Sequence, residues 1–314
     1  MQSPYQGNVS EFIIQGFSDN PEMQLLLFLV FLSIYLFILL GNLTVILVIS
    51  LNSHLNTPMY LLLLTLSFND ISSTTNILPT LLHILFTQQK NISFLGCMTQ
   101  VYVYMSLLMY QYTLLTIMAY DRYVAICDPL RYIVRMAQNR CAKLITGSLV
   151  VSFFYPIGHA ILIAKFSYCG SHVIDHFFCD VTPLLKLLCR EIFTVQLLTF
   201  IEGTLVIFFC VLPLLISYIF IIMTILKIQS SEGRKKTFST CASHLSSVIL
   251  FYGTVVSLYV RPTTSYCPKK EKFFALLHIV LIPLLNPLIY TLKNKEFQSA
   301  FIKLTLANEK HIHL

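Results

Sequence analysis

The stretch "LLTIMAYDRYVAICDPLRY", residues 114–132, begins as an apolar run and then places an acid, a base and a phenol side by side. These three residues are Asp121, Arg122 and Tyr123. Ionisable groups are costly within the hydrocarbon of a bilayer, so a charged pair at the end of an apolar run indicates a functional position at a membrane surface. An arginine that only anchors its helix among the lipid headgroups is the alternative interpretation.

The rest of the chain is also strongly apolar. It has 314 residues, of which 56% are hydrophobic and 11% are charged, and its mean hydropathy is +0.74. Soluble domains carry about 25% charged residues, so a soluble fold is excluded. Apolar segments of about 20 residues are typical of membrane-spanning helices, and seven of them lie at 25–49, 57–82, 98–120, 142–164, 197–226, 238–260 and 272–292. We therefore predict an all-α membrane protein, a seven-transmembrane helix bundle.

The distribution of basic residues predicts the orientation of this bundle. Lysine and arginine are more numerous in the loops after the third, fifth and seventh segments than on the other side, and cytoplasmic loops carry such an excess. We expect residues 1–24 to be an extracellular tail, residues 25–292 the membrane domain and residues 293–314 a cytoplasmic tail. The net charge of +7 is assigned to this topology and to anionic lipid, and not to nucleic acid.

The segment after the seventh span, "KNKEFQSAFIKL" at 293–304, places four apolar residues among charges. They are Phe297, Phe301, Ile302 and Leu304. This pattern predicts a short amphipathic C-terminal helix on the inner leaflet. A frayed tail is the alternative.

Five cysteines fall on the predicted outer side of the membrane, where disulfides persist. They are Cys97, Cys169, Cys179, Cys189 and Cys267. We pair Cys97 with Cys179 and Cys169 with Cys189, although the sequence alone does not fix the connectivity.

Two Asn-X-Ser sequences on the same side are candidate glycosylation sites, at Asn8 and Asn91. The similar sequence at Asn42 falls inside the first predicted helix, where sugar transfer has no access.

One face of the third predicted helix runs from the outer mouth to the charged pair. Steps of three or four residues along it connect Tyr104, Leu108, Gln111, Leu115, Ala119 and Arg122. The rise from Tyr104 to Arg122 is about 27 Å, nearly the hydrocarbon thickness. A ligand at Tyr104 and a partner at Arg122 would therefore contact opposite ends of one rod, with Asp121 neutralising Arg122 at rest.

The seventh segment contains "NPLIY", residues 286–290. Pro287 removes a backbone donor, and we expect Asn286 to satisfy the freed groups. Asp70 and Asn42 lie at a similar depth, which indicates a polar cluster in the middle of the bundle. A structural hydrogen-bond cluster and an ion or water switch are the two interpretations.

Several motifs together resemble the vertebrate olfactory receptors, a family of rhodopsin-like (class A) G-protein-coupled receptors. They are "PMY" (58–60), "LSFND" (66–70), "MAYDRYVAIC" (118–127), "SY" (217–218), "STCASHL" (239–245) and "PLLNPLIY" (283–290). The resemblance covers about residues 41–297. It implies a receptor for small volatile odorants in the cilia of olfactory sensory neurons. It also implies activation of a stimulatory, olfactory-type G protein that raises cyclic AMP, with no enzymatic chemistry, cofactor or metal.

The resemblance also implies roles for individual residues. Cys97 and Cys179 match the outer-loop bridge of the family, and Arg122 matches the residue that engages the G-protein side. The implied G-protein coupling and activation switch consists of Asp70, Asp121, Arg122, Tyr123, Tyr218, His244, Asn286, Pro287 and Tyr290. Gln111 stands where the family often has a glutamate facing Asp70, so a strong cation site is not implied.

The ligand site implied by the family lies in the outer half, between the third, fifth, sixth and seventh helices. Its candidate residues are Tyr104, Met105, Leu108, Met109, Glu202, Val206, Tyr252, Val255, Val256, Tyr259 and Leu276. These side chains suit a small, weakly polar molecule. Glu202 has two interpretations, a group pointing into the pocket or one that is hydrated or bonded to a neighbouring helix.

Two other functions are alternatives. One keeps the fold and changes the input to an endogenous metabolite sensed outside the olfactory epithelium. The other is a ligand-gated channel, which is disfavoured because the sequence has no charged ring or filter-like loop.

Overall fold

The computed structural model describes residues 10–168, 172–188, 192–259, 268–291 and 295–312. Asn8, Cys169, Cys189 and Cys267 lie outside the described residues, as does the side chain of Tyr259.

Within the described residues, seven long helices form the bundle that the sequence predicts, and an eighth follows them. The first three are α1 (Pro21–Leu51), α2 (Pro58–Thr87) and α3 (Phe94–Cys127). Helix α4 spans Gln138–Lys165, α6 is Ser231–Tyr259 and α8 is Lys295–Ile312. Helix α5 consists of Ile192–Val206, Ile207–Val211 and Leu212–Leu226, and α7 of Pro268–Leu276, Leu277–Leu281 and Ile282–Thr291.

Five of the seven, α1, α3, α4, α5 and α7, are long and apolar enough to cross a membrane by length and composition. Helices α2 and α6 are 30 and 29 residues long. They are more polar because they carry buried polar residues that face the bundle, such as Asp70 in α2 and His244 and Ser247 in α6. Part of their polarity therefore lies in the interior of the bundle, and the first turns of α6 also carry exposed charges such as Arg234 and Lys235.

Local capping explains why α1 begins at Pro21, four residues before the predicted segment. Asn20 accepts a hydrogen bond from the backbone N–H of Glu22 at 3.0 Å, and Pro21 occupies the first turn. The first helix is therefore longer at its start than the predicted segment.

Proline explains a wide turn in two of the helices. The segments Ile207–Val211 of α5 and Leu277–Leu281 of α7 are π-helical. Each precedes a proline, Pro213 or Pro283, that lacks an N–H and would crowd the carbonyl four residues before it. The wider turn accommodates that carbonyl.

A small sheet covers the outer end of the bundle, where the sequence analysis expected only a tail and loops. Strand β1 (Glu11–Ile14) pairs antiparallel with β2 (Asn91–Ser93) and parallel with β3 (Val173–Ile174). Phe12 and Ile14 are fully buried beneath it. The N-terminal segment is therefore part of the folded structure.

A disulfide fixes the segment that contains β3 to the top of α3, and we call residues 172–180 of this segment the lid. The bond joins Cys97 to Cys179, as the resemblance implied. Gln100 of α3 accepts a hydrogen bond from the backbone N–H of Cys179 at 2.9 Å. Lys272 of α7 donates to Gly16 O at 2.8 Å and to Asp175 at 2.7 Å, which ties the tail, the lid and α7 together.

Helix α8 is amphipathic as predicted, and it continues beyond residue 304. Phe297 is buried against the bundle, whereas Phe301 and Ile302 are exposed. Tyr60 of α2 donates a hydrogen bond to Glu296 at 3.1 Å and so anchors the start of α8.

Acid should loosen the lid, because His176 is buried in it. Burial and the nearby Lys272 ammonium lower the pKa of His176 to about 3, against a smaller opposing effect of Asp175. The open lid therefore takes up the proton more readily once the pH falls below about 6.5. We expect the free energy of lid opening to fall by up to about 2 kcal/mol from pH 7 to pH 5.

The measurement is backbone hydrogen exchange of residues 172–180, corrected for the intrinsic pH dependence of exchange. His176→Gln should remove the pH effect, and His54→Gln, at an exposed site in the loop between α1 and α2, should retain it. An unchanged pH effect in His176→Gln would show that another group is responsible.

Candidate functional site

At the inner end of α3, Asp121 and Arg122 are bonded to each other. Arg122 donates to Asp121 Oδ2 from Nε at 2.9 Å and also from Nη2. The second carboxylate oxygen, Oδ1, accepts the hydroxyl of Tyr132 at 2.8 Å. Tyr132 begins the short helix Tyr132–Arg135 that follows α3, so Asp121 binds the arginine and the next loop at once.

The predicted partners of Arg122 are bonded to each other. The hydroxyl of Tyr218 in α5 shares a hydrogen bond with Nδ1 of His244 in α6, and the two rings stack with centroids 5.7 Å apart. Both side chains are buried. This contact joins α5 to α6 in the inner half of the bundle. We call the arrangement in which this bond is intact the closed arrangement.

Tyr123 has a different environment from its two charged neighbours. Its ring lies 5.9 Å from the ring of Phe220 in α5 and 6.3 Å from that of Tyr120. It therefore contributes to packing between α3 and α5.

The mid-membrane polar residues form a chain across three helices. Asn286 Nδ2 in α7 donates to Asp70 Oδ2 in α2 at 2.8 Å, and Ser247 Oγ in α6 donates to Asn286 Oδ1 at 3.1 Å. Tyr290 lies one turn further along α7 and packs against the inner apolar cluster. Gln111 is buried in α3, and no hydrogen bond joins it to Asp70 within the described part of the chain.

Pro287 leaves a backbone carbonyl without its helical partner, and Asn42 binds this carbonyl in place of Asn286. The prediction that Asn286 satisfies it was therefore wrong. Pro287 has no N–H to offer the carbonyl of Pro283, four residues earlier. Asn42 Nδ2 in α1 donates to that carbonyl at 3.0 Å. Gly41 lies against the proline ring, and a Cβ there would be 3.5 Å from Pro287 Cγ, an ordinary van der Waals contact.

In the outer half, the lid touches the helix 3 residue predicted to contact the ligand. The rings of Tyr104 and Phe178 meet edge to face with centroids 5.3 Å apart. Both belong to a buried apolar cluster against which Leu108 and Leu276 pack. Phe178 was missed by the sequence analysis, although its position just before Cys179 placed it at the top of α3.

The remaining predicted ligand residues divide into three groups. Tyr252 and Val255 of α6 pack deeper, with Tyr112 and Phe251. Met105 packs under the sheet, Met109 is buried in α3, and Val206 is half-buried just before the π-helical turn of α5. Val256 is 52% exposed and faces out of the bundle, so its placement does not support a role in the pocket wall.

Glu202 is bonded to a neighbouring helix. Its Oε2 lies 3.1 Å from Nδ1 of His159 in α4, and both residues are buried. A second pair that the sequence analysis did not identify joins α6 to α7, where Thr254 Oγ1 lies 3.0 Å from Nδ1 of His278. Both histidines therefore connect helices.

Comparison with known proteins shows which family the chain resembles. The sequence model of the "Olfactory receptor" family matches residues 31–308. The chain is 44% identical to human "Olfactory receptor 1F1" over 96% of this chain and 97% of that one. It is 42% identical to mouse "Olfactory receptor 5AR1", with 94% and 96% covered, and 42% identical to chicken "Olfactory receptor-like protein COR4", with 95% of each covered.

The chain belongs to the olfactory receptor family. It is therefore a class A G-protein-coupled receptor, a multi-pass plasma membrane protein whose ligands are odorants and which couples to a G protein. It is a receptor and not an enzyme.

Removing both members of the Glu202–His159 pair should destabilise the receptor by less than the sum of the two single removals. A buried polar group without its partner costs about 1–3 kcal/mol. We expect Glu202→Leu and His159→Leu each to lower the unfolding free energy, and the double variant to cost less than their sum.

The measurement is a double-mutant cycle on thermal unfolding in detergent. Glu202→Leu combined with His54→Leu serves as the control and should be additive, because His54 lies at the opposite end of the bundle. Additivity of the Glu202 and His159 effects would mean that the two side chains do not interact.

Proposed function

We propose that the receptor binds a small volatile odorant in the outer half of its bundle and activates a stimulatory, olfactory-type G protein, which raises cyclic AMP. The observation that carries this proposal is the arrangement of α3. Its outer end contacts the lid through Tyr104, and its inner end holds Arg122 in a pair with Asp121. One rigid helix therefore connects a ligand site to a G-protein site.

The proposed ligand site is centred on Tyr104, Leu108 and Leu276 beneath Phe178, with Val255 and Tyr252 below. Met105, Met109 and Val206 complete an apolar and adaptable wall. Burial contributes about 25 cal/mol per Å² of apolar surface, and a micromolar affinity requires about 8 kcal/mol. A molecule with ten or so heavy atoms can reach this value without a charged contact. In this proposal Glu202 shapes the wall through His159 and makes no contact with the ligand.

Activation is proposed to be a shift between two arrangements of the inner half. An odorant shifts the equilibrium only by its differential affinity for the two. In the active arrangement the inner end of α6 moves outward and the Tyr218–His244 bond breaks. Arg122 then leaves Asp121 and meets Tyr218, while the chain from Asp70 through Asn286 to Ser247 transmits the change between α2, α7 and α6.

We further propose that the N-terminus is extracellular and that the receptor works in the cilia of olfactory sensory neurons. The Cys97–Cys179 bond supports this orientation, since disulfides persist outside the cell. Asn8 and Asn91 are proposed as glycosylation sites on that side, and Asn91 is exposed at the start of β2. The α8 helix would then lie on the cytoplasmic leaflet.

Arg122→Ala should abolish the odorant-dependent rise in cyclic AMP while leaving surface expression intact, because it removes the group that meets the G-protein side. The measurement is cyclic AMP in cells with matched surface labelling. Lys303→Ala, which removes one positive charge from an exposed position of α8, is the control and should respond normally. A full response of well-expressed Arg122→Ala would contradict the switch, and an odorant-evoked current without any G protein would favour a channel.

Two adjacent valines test the position of the pocket with the same chemical change. Val255 is buried, whereas Val256 is exposed on the outside of α6. Truncating a buried valine loses about 1 kcal/mol or more, so we expect Val255→Ala to shift the half-effective odorant concentration by about fivefold. Val256→Ala should leave it unchanged. The measurement uses a panel of volatile alcohols, acids, amines and ketones, and equal shifts for both variants would exclude the proposed wall.

A further inference from the structure

A groove runs along the outside of the bundle, on the surface that would face lipid, between α3, α4 and α5. It lies in the inner half, which contains Arg122. Two adjoining cavities of about 610 Å³ and about 320 Å³ form it. They share four lining residues, which are Thr116, Ile117, Lys143 and Leu144. The groove is separate from the proposed odorant site, which lies in the other half of the bundle, and from the Arg122 pair.

Helical spacing explains why one face of α4 lines the whole groove. The lining residues of α4 are Arg140, Lys143, Leu144, Gly147, Ser148 and Val151, which recur every three or four positions. Their backbone spans about 16 Å along the axis. The face changes along this length from two cations through two small residues to an apolar end.

Among the described residues, none that lines the cationic end of the groove is acidic. This end consists of Arg135, Arg140 and Lys143. Arg135 lies 3.3 Å from the carboxylate of Asp128. Arg140 and Lys143 are exposed and form no ion pair within the described part of the chain, so two positive charges remain available to an anion.

The other end of the groove is apolar and open. Ile117, Leu144, Val151 and Phe209 line it, and Phe209 is 71% exposed. Gly147 leaves additional space, since a Cβ at this position would meet no atom within 4 Å. An elongated apolar chain therefore fits beside α4.

We propose that this groove binds one anionic phospholipid, with its phosphate on Arg140 and Lys143 and one acyl chain along Ile117, Leu144 and Val151. An arginine fork binds phosphate through paired hydrogen bonds, and the stems of both cations lie along apolar surface. A free phosphate ion would leave the apolar end unfilled. A zwitterionic phospholipid carries the same phosphate, but its own headgroup ammonium cancels that charge and leaves the net charge of the two cations unbalanced. The orientation in the proposed function places the site in the cytoplasmic leaflet, where anionic lipids are concentrated.

Native mass spectrometry of the purified receptor in detergent tests this site. The probes are phosphatidylserine and phosphatidylcholine with identical acyl chains, and inorganic phosphate is the competitor. We expect the receptor to retain phosphatidylserine in preference to phosphatidylcholine, with inorganic phosphate unable to displace it. Arg140→Gln combined with Lys143→Gln should weaken retention by about fivefold or more.

Two variants distinguish lipid binding in the groove from attraction of the lipid to the overall positive charge of the receptor. Arg234→Gln combined with Lys235→Gln removes the same charge from exposed positions of α6 and should leave retention unchanged. Gly147→Leu keeps every charge and fills the open space, and it should reduce retention to the level of the Arg140 and Lys143 variant. The assay contains neither odorant nor G protein, so its outcome is independent of the signalling proposal.

Three results would overturn the proposal. Equal loss in the α6 control would show attraction to the overall charge alone. Displacement by inorganic phosphate would show a simple anion site, with no role for the acyl chain. Equal retention of both lipids, unaffected by the charge variant, would show a groove for neutral lipid.

Discussion

The arrangement of the inner half depends on the two bonds that the carboxylate of Asp121 makes, one to Arg122 and one to Tyr132. A bilayer offers no hydrogen-bond partner to a buried polar group, so a partner within the protein stabilises such a group strongly. Asp121 uses one oxygen for Arg122 and the other for Tyr132. Arg122 is thereby kept from Tyr218, which is bonded to His244. Two bonded pairs thus occupy the inner half. In the proposed activation both pairs open and a cleft for the G protein forms.

The same constraint accounts for the middle and the outer end of the bundle. Asn42 supplies the donor that Pro287 cannot, and Glu202 is matched by His159. At the outer end a covalent bond adds to these contacts, because the Cys97–Cys179 disulfide holds the lid over Tyr104. A site closed from above in this way suits ligands recognised mainly by burial and shape, which is typical of apolar pockets.

Sequence reasoning succeeded where one physical signal dominates and failed where partners come from distant segments. Apolar segments of membrane-spanning length predicted the seven helices, and alternating charge and apolar residues predicted α8. The sheet was missed because its strands are very short and join residues 11–14, 91–93 and 173–174. The partner of Glu202 was not predictable, since it depends on the relative depth and rotation of α4 and α5. The Asn42 contact required the geometry of α1 against α7.

The distance between the inner ends of α3 and α6 tests the central claim most directly. Arg131, in the loop directly after α3, and Lys235, near the start of α6, are exposed there. Each can be replaced by a spin-labelled non-canonical residue that leaves the cysteines intact. Double electron–electron resonance should show this distance lengthening by several ångströms when an odorant that raises cyclic AMP is bound. An unchanged distance with such an odorant would contradict the claim that α3 and α6 transmit occupancy from the lid to the G protein.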